Sequence, residues 1–453
     1  MPDETATGTS VRRAFGRRPT AIVIAAVATA ILALAVGGSL LPGGSISDRA
    51  GLLGAPSANT GAAGPGPSAG STGASAQPIA SPGSSRAPAS MPSGAPAGPK
   101  STAAPTKRPT PTPRPPAQPP TNLAASPSTV YMHYYLWWTP QHWRDKLGAA
   151  YPYAASPAPA PGGMDASGCN PTVRYPGATI VDVPSEGLYD QGNGATFDRH
   201  IAAAVGAGIT GFLVDWQGTG ASGQGPSSSG YDARLDLLVS RVDRYNAAHG
   251  TRFRLALALD AFGNYGRPAS ALINDLNYFR IRYASNPAFA NRYSSQPVVM
   301  LMASRRFALG TIQAVGAAER LHLLLLGDET TTSWGRDAAS LDGTGYYWSS
   351  QDPWRNPQSG SQIASLARQV HAAGKAWFAP FTGGYNTQLG GGSSCVPRNG
   401  VRTLDAVWRL NVGSRPQGWF GISWNEFVEN TYLEPSVTYG RTYLDEIARL
   451  IRG

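Results

Sequence analysis

Cysteine is nearly absent from this chain. Cys169 and Cys395 are the only two in 453 residues, too few for a disulfide scaffold and without the C-x-x-C spacing of a redox or structural metal site. The six histidines include no H-x-H or H-E-x-x-H pair, so no metal and no cofactor held by one is expected. No G-x-G-x-x-G turn follows the first strand-like run, which argues against a dinucleotide cofactor. No G-x-S-x-G elbow follows a strand, so a Ser-His-Asp hydrolase has no support. The formal charge of +10 is not a nucleic-acid signature either: before Ser128 ten Lys/Arg face three acids, which leaves +3 for the rest. That remainder carries no basic cluster, and no nucleic-acid partner is expected.

What is present falls into four parts. Residues 1–20 form a basic tail with Arg12, Arg13, Arg17 and Arg18. Residues 21–41 are uncharged and almost wholly apolar, long enough to cross a bilayer as a signal anchor, or to serve as a signal peptide cut near Ala33-Leu34-Ala35. Arg12-Arg13-Ala14-Phe15 also bears a weak likeness to a twin-arginine signal. Each reading puts the remainder outside the cytoplasmic membrane. Residues 42–127 are Ala, Gly, Pro, Ser and Thr with almost no large apolar side chain, a composition that cannot offset its ordering entropy by burial and reads as a linker. Residues 128–453 carry the fold, expected to be monomeric.

In that last part apolar runs alternate with helical patterns, the sign of a parallel α/β architecture. Strands are expected at Tyr131 to Trp137, Gly211 to Trp216, Arg254 to Asp260, Pro297 to Ala303, His322 to Gly327, Gly345 to Ser349, Ala376 to Phe381 and Trp419 to Trp424. Eight strand-helix units favour a closed (β/α)8 TIM barrel, although Glu329 to Thr344 shows no convincing helix. Active sites of such barrels lie where the strands end. The expected ring is His133, Tyr134, Trp137, Trp138, Asp215, Trp216, Asp260, Asp328, Glu329, Tyr347, Trp348 and Tyr385, with Asn425 and the pair Glu426 and Glu429. Aromatic faces stack on the CH faces of sugar rings while carboxylates accept hydroxyl hydrogen bonds, so this mixture suits a carbohydrate cleft. His133, inside an aromatic strand, reads more readily as structural than catalytic.

The most informative stretch is Trp424 to Pro435. A Glu-x-x-Glu pair on an ordinary helix is usually a solvated face. Glu426 and Glu429 instead follow an aromatic strand and precede a Glu-Pro that breaks a helix. Cleaving an acetal needs one acid on the departing oxygen and a second carboxylate opposite, which is what a carboxylate pair at a strand exit offers.

Tyr134-Tyr-Leu-Trp-Trp138, Gln141-His-Trp143, Gly211 to Trp216 and above all Trp424-Asn-Glu-Phe-Val-Glu-Asn-Thr-Tyr-Leu-Glu-Pro435 resemble glycoside hydrolase family 99 and the related bacterial WbsX-like proteins. The family's usual motif is Trp-Asn-Glu-Trp-x-Glu-Gly-x-x-x-Glu-Pro, so Phe427 and Asn430 depart from it. Loss of the Gly bears on the turn that carries the second carboxylate. The resemblance implies a retaining endo-α-mannosidase on a (β/α)8 barrel. Glu426 would deprotonate the sugar's own 2-hydroxyl to form a 1,2-anhydro intermediate, and Glu429 would protonate the leaving oxygen. A mannoside's axial 2-hydroxyl lies trans to an axial leaving group and is aligned for that displacement. A distant likeness to fungal α-1,3-glucanases keeps another α-glucan open. The competing readings are a glycosyl-transfer protein of polysaccharide assembly and a non-catalytic carbohydrate-binding barrel. Cys169 and Cys395, in loops after the first and seventh strands, are expected to form a disulfide in an oxidising compartment.

Overall fold

The structure, a computed structural model, describes residues 129–219, 228–261, 263–291 and 295–453. The expected tail, membrane segment and linker (1–20, 21–41 and 42–127) lie outside the described residues. No helix among the described residues is long and apolar enough to cross a membrane.

Eight parallel strands close into one barrel: β1 (Val130–Tyr135), β2 (Gly211–Trp216), β3 (Arg254–Leu259), β4 (Val298–Leu301), β5 (Leu324–Gly327), β6 (Gly343–Gly345), β7 (Ala376–Thr382) and β8 (Gly418–Ile422). They pair in chain order, and β1 closes the ring against both β2 and β8. Helices α1 (Gly194–Gly206), α2 (Ser228–His249), α3 (Ala269–Arg282), α4 (Leu309–Glu319), α5 (Trp334–Asp337), α6 (Ser359–Ala372), α7 (Arg402–Val412) and α8 (Thr442–Arg452) lie between or after them. Helix α1 shows why: Asn193 caps it by accepting from Ala195 N at 3.0 Å. Its buried Phe197, Ile201 and Ala204 recur at helical spacing and face the sheet. Burying a side chain the size of Phe197 or Ile201 stabilises by about 2 kcal/mol.

Strand periodicity divides the core in two. Tyr131, Leu213, Ala256, Ala258, Met300, Leu326, Phe378 and Phe420 fill the barrel interior. Their chain neighbours Met132, Phe212, Val214, Leu255 and Leu257 pack outward in the larger cluster that includes the helices. Three interior rings lie over glycines of neighbouring strands: Tyr131 over Gly211, Phe378 over Gly418 and Phe420 over Gly345, where an added Cβ would collide with the ring. Phe378 and Phe420 stack, with centroids 4.7 Å apart. The barrel is therefore floored by aromatics beneath its C-terminal face.

Two expectations need correction. The sixth strand is Gly343–Gly345, not Gly345 to Ser349. The aromatic run Tyr346 to Trp348 has strand-like composition, but the chain leaves the sheet after Gly345, where the Thr344 hydroxyl donates to Gly327 O at 2.9 Å. The last strand ends at Ile422 rather than Trp424. Glu329 to Thr344 holds a single helical turn, α5, and a 3-10 turn at Ala338–Ser340. The loops after β1 and β7 contain elements the sequence reading omits: a helix at Pro140–Leu147, with Pro140 at its start and Thr139 as its cap, and two ribbons, Gly162–Met164 with Pro171–Val173 and Tyr385–Asn386 with Cys395–Val396. Cys169 and Cys395 are bonded to each other, Cα atoms 5.7 Å apart, and tie these two loops together.

Candidate active site

Beyond β8 the chain folds into a tight turn. Ser423 N and Oγ bond to Thr431, and the Glu426 carbonyl accepts from Thr431 N at 3.1 Å and Tyr432 N at 3.2 Å. Glu426 Oε1 accepts from the backbone N–H groups of Val428 at 2.7 Å and Glu429 at 3.2 Å. Those donors favour its ionised form. Glu429 Oε2 has no hydrogen-bond partner. Glu429 is also the less enclosed of the two, 9% exposed against 1% for Glu426.

Burial raises the proton affinity of both carboxyls, and the neighbouring Glu429 charge raises that of Glu426 further. Two acids in this state share a proton near neutrality. The backbone donors on Glu426 offset part of its rise, whereas burial alone sets that of Glu429.

Strand parity decides which of the expected ring residues face this pair. Tyr135 and Tyr347 share a hydroxyl hydrogen bond of 2.9 Å, and His133 lies beneath them, its ring 4.8 Å from that of Tyr347. Burial pushes both tyrosines well above the ordinary phenol value, and the Glu426 and Glu429 charges add to it. Tyr385 is raised by burial and then by Glu429. Asp215 pairs in register with Tyr135 and adds to the negative field on it. Asp260 acts likewise on Tyr265. Trp137 stacks on Tyr135 at 4.4 Å, and Trp348 is half-buried against Tyr346. His133 is wholly buried, neither ring nitrogen has a hydrogen-bond partner, and burial lowers its pKa to about 3.

Six residues of the expected ring turn outward or are engaged by neighbouring groups. Tyr134 turns outward, stacking on Phe212 at 4.3 Å and bonding His200 Nδ1 at 2.7 Å. Trp216 turns outward too, parallel to Tyr278 of α3. Neighbouring strand residues face opposite sides, so Tyr134 and Tyr135 cannot both line the cleft, nor can Asp215 and Trp216. Trp138 stacks on Trp143 at 3.8 Å and donates to Asn425 O at 2.7 Å. The Asn425 side chain brackets Tyr135, accepting from its N–H and donating to its carbonyl, each at 2.9 Å. Beyond β5, Asp328 is bound to Arg305 and accepts from Tyr347 N at 2.9 Å, while the Ser304 hydroxyl donates to Glu329. Tyr135 is the residue sequence reasoning missed. Counting by twos from Tyr131 would have found it.

One group of three ligating side chains occurs among the described residues: Glu186, His200 and Glu434, with ligand atoms within 4.8 Å of one another. These residues are far apart in sequence, so motif spacing could not reveal them. Each is already held. His200 Nε2 lies 2.7 Å from Glu186 and 3.4 Å from Glu434, Arg199 also grips Glu186, and Tyr189 donates to Glu434 at 2.8 Å. The group reads as a hydrogen-bonded brace beneath the Glu-Pro end of the motif.

The barrel has counterparts among solved structures. A GH99 endo-α-mannosidase from Bacteroides thetaiotaomicron matches in two structures, with TM-scores of 0.54 in complex with BIS-TRIS-propane and 0.56 without; in both, identity is 17% and the match covers 72% of this chain and 98% of that one. The fold is GH99-like. A glycoside hydrolase-like protein matches at TM-score 0.47 and 16% identity, over 60% of this chain and 89% of the other. No family model and no curated protein matches the chain. Against the GH99-type motif, Asn430 stands where Gly is usual and has φ 55°, left-handed backbone that Gly adopts freely and Asn tolerates better than most residues. Phe427 is buried, stacked on Tyr432 at 4.2 Å and edge-on to Trp138 and Trp143. Both departures fit the turn.

Proposed function

We propose that this protein is a retaining glycoside hydrolase acting on an α-linked glycan, with α-mannan the favoured class. The observation that carries the reading is the buried pair Glu426 and Glu429 at the exit of β8, one carboxylate held by two backbone N–H groups and the other with a free oxygen. Glu426 is the base. Glu429 is the acid that delivers its proton to the departing oxygen. The base acts on the sugar's 2-hydroxyl, which then attacks the anomeric carbon; the axial arrangement in a mannoside aligns that attack. Tyr135, Tyr347, Tyr385, Trp137 and Asp215 supply hydroxyls, an apolar face and an acceptor for the sugar. The fold shared with an endo-α-mannosidase supports the substrate class. The Cys169 to Cys395 disulfide supports an extracytoplasmic site of action, reached by way of residues 21–41.

The test uses leaving groups. Glu429→Gln should lose most activity on α-mannan and recover much of it on α-mannosyl fluoride, whose departure needs no proton. Glu426→Gln should stay inactive on both. Wild-type rates in both variants would remove the assignment, and efficient wild-type cleavage of a 2-deoxy analogue would exclude the 2-hydroxyl route.

A further inference from the structure

The turn that carries Glu429 is gripped from outside. The backbone N–H of Asn386 donates to Glu429 O at 2.8 Å. Arg398 Nη2 donates to Asn430 O at 2.9 Å and to Tyr432 O at 2.7 Å. Both residues come from the loop after β7, on or just beyond the ribbon Tyr385–Asn386 with Cys395–Val396. That ribbon is itself anchored. Cys395 is bonded to Cys169 in the β1 loop, and the Asn386 side chain donates to Cys169 O at 2.6 Å.

Arg398 is an unusual holder. It is buried, and among the described residues no carboxylate pairs with it; its guanidinium instead lies over three tyrosine rings, Tyr432 at 4.5 Å, Tyr439 at 4.9 Å and Tyr443 at 4.5 Å. A carboxylate partner would compete for its N–H groups. Rings stabilise the cation through their faces and leave the guanidinium edge to the turn's two carbonyls. We propose that Arg398 is a positioning residue for Glu429, and that the disulfide-tied ribbon holds the other side of the same turn. The turn is short, and its own bonds run back to Glu426, Phe427 and Ser423, so the outward side of Glu429 depends on this grip.

The proposal rests on Glu429 being the acid, and misplacing an acid by about 1 Å can cost on the order of a hundredfold in rate. The experiment is steady-state kinetics of the full chain on α-mannan and on α-mannosyl fluoride. Arg398→Lys keeps the charge but loses the planar fork. It should lower kcat on mannan by about tenfold or more, with little change in KM, and alter kcat on the fluoride by less than about twofold. The double variant Cys169→Ser, Cys395→Ser should show the same selectivity more weakly, and it carries the test if Arg398→Lys does not fold. Equal losses on both substrates, as partial unfolding gives, or no loss on mannan, would overturn the positioning role. Glu429→Gln is the reference: if it shows no preference for the fluoride, the acid assignment fails, and this proposal with it.

Discussion

Replacing Glu429 by Gln should make the protein more stable at alkaline pH while removing its activity. Burial pushes the Glu429 carboxyl from 4.5 up to about 7. A carboxyl whose folded value lies above its unfolded value binds its proton more tightly in the folded state, so its contribution is full below pH 4.5 and declines as pH rises to about 7. At about 1.4 kcal/mol per pH unit the loss across that window is about 3 kcal/mol. Gln cannot ionise and does not suffer it. With about 2 cal/mol/K of unfolding entropy per residue over roughly 325 folded residues, 3 kcal/mol corresponds to about 4–5 °C in Tm. The assay is thermal unfolding of both proteins at pH 4 and pH 8. The variant should gain those degrees at pH 8 and almost none at pH 4. No gain at pH 8 would refute the buried charge, and an equal gain at both pH values would point to packing instead.

At Asn430 the φ of 55° sets a clear order: Asn430→Ala should destabilise by about 1–2 kcal/mol and Asn430→Gly by less, as read from urea midpoints; an Ala variant as stable as Gly would contradict the left-handed turn. Activity should fall as the shared proton of the pair is lost on the alkaline side or doubled on the acid side, giving a bell-shaped kcat profile that Glu429→Gln abolishes on α-mannan; a flat wild-type profile between pH 5 and pH 9 would count against it. Tyr135→Phe should raise KM for α-mannan, whereas Tyr134→Phe, which loses its bond to His200 on the outer side of the barrel, should leave KM unchanged and cost about 1 kcal/mol of stability; reversed effects would show that the parity assignment of β1 is wrong.

The barrel was legible because each strand is a short apolar run between turn residues, and parallel strands buried on both faces need nothing subtler. The pair Glu426 and Glu429 was legible because it follows a strand too closely to be a solvated helix face. Facing was harder to read. Composition made Tyr134 and Trp216 look like ring members, and only the alternation fixed by Tyr131 and Leu213 turns them toward the helices. The grip of Arg398 was invisible for another reason: its partners are backbone carbonyls and ring faces, contacts that leave no spacing signature. Glu186, His200 and Glu434 likewise meet only through the tertiary fold.

The three rings seated over glycines constrain how such a barrel can change over generations. At Gly345, any first step to Ala strikes Phe420, so the larger partner must shrink before the smaller one grows. Shrinking Phe420 first opens a cavity costing about 3–5 kcal/mol. Each path between the two arrangements therefore crosses a less stable intermediate, and the same holds for Gly418 with Phe378. Positions in these pairs should drift together or not at all.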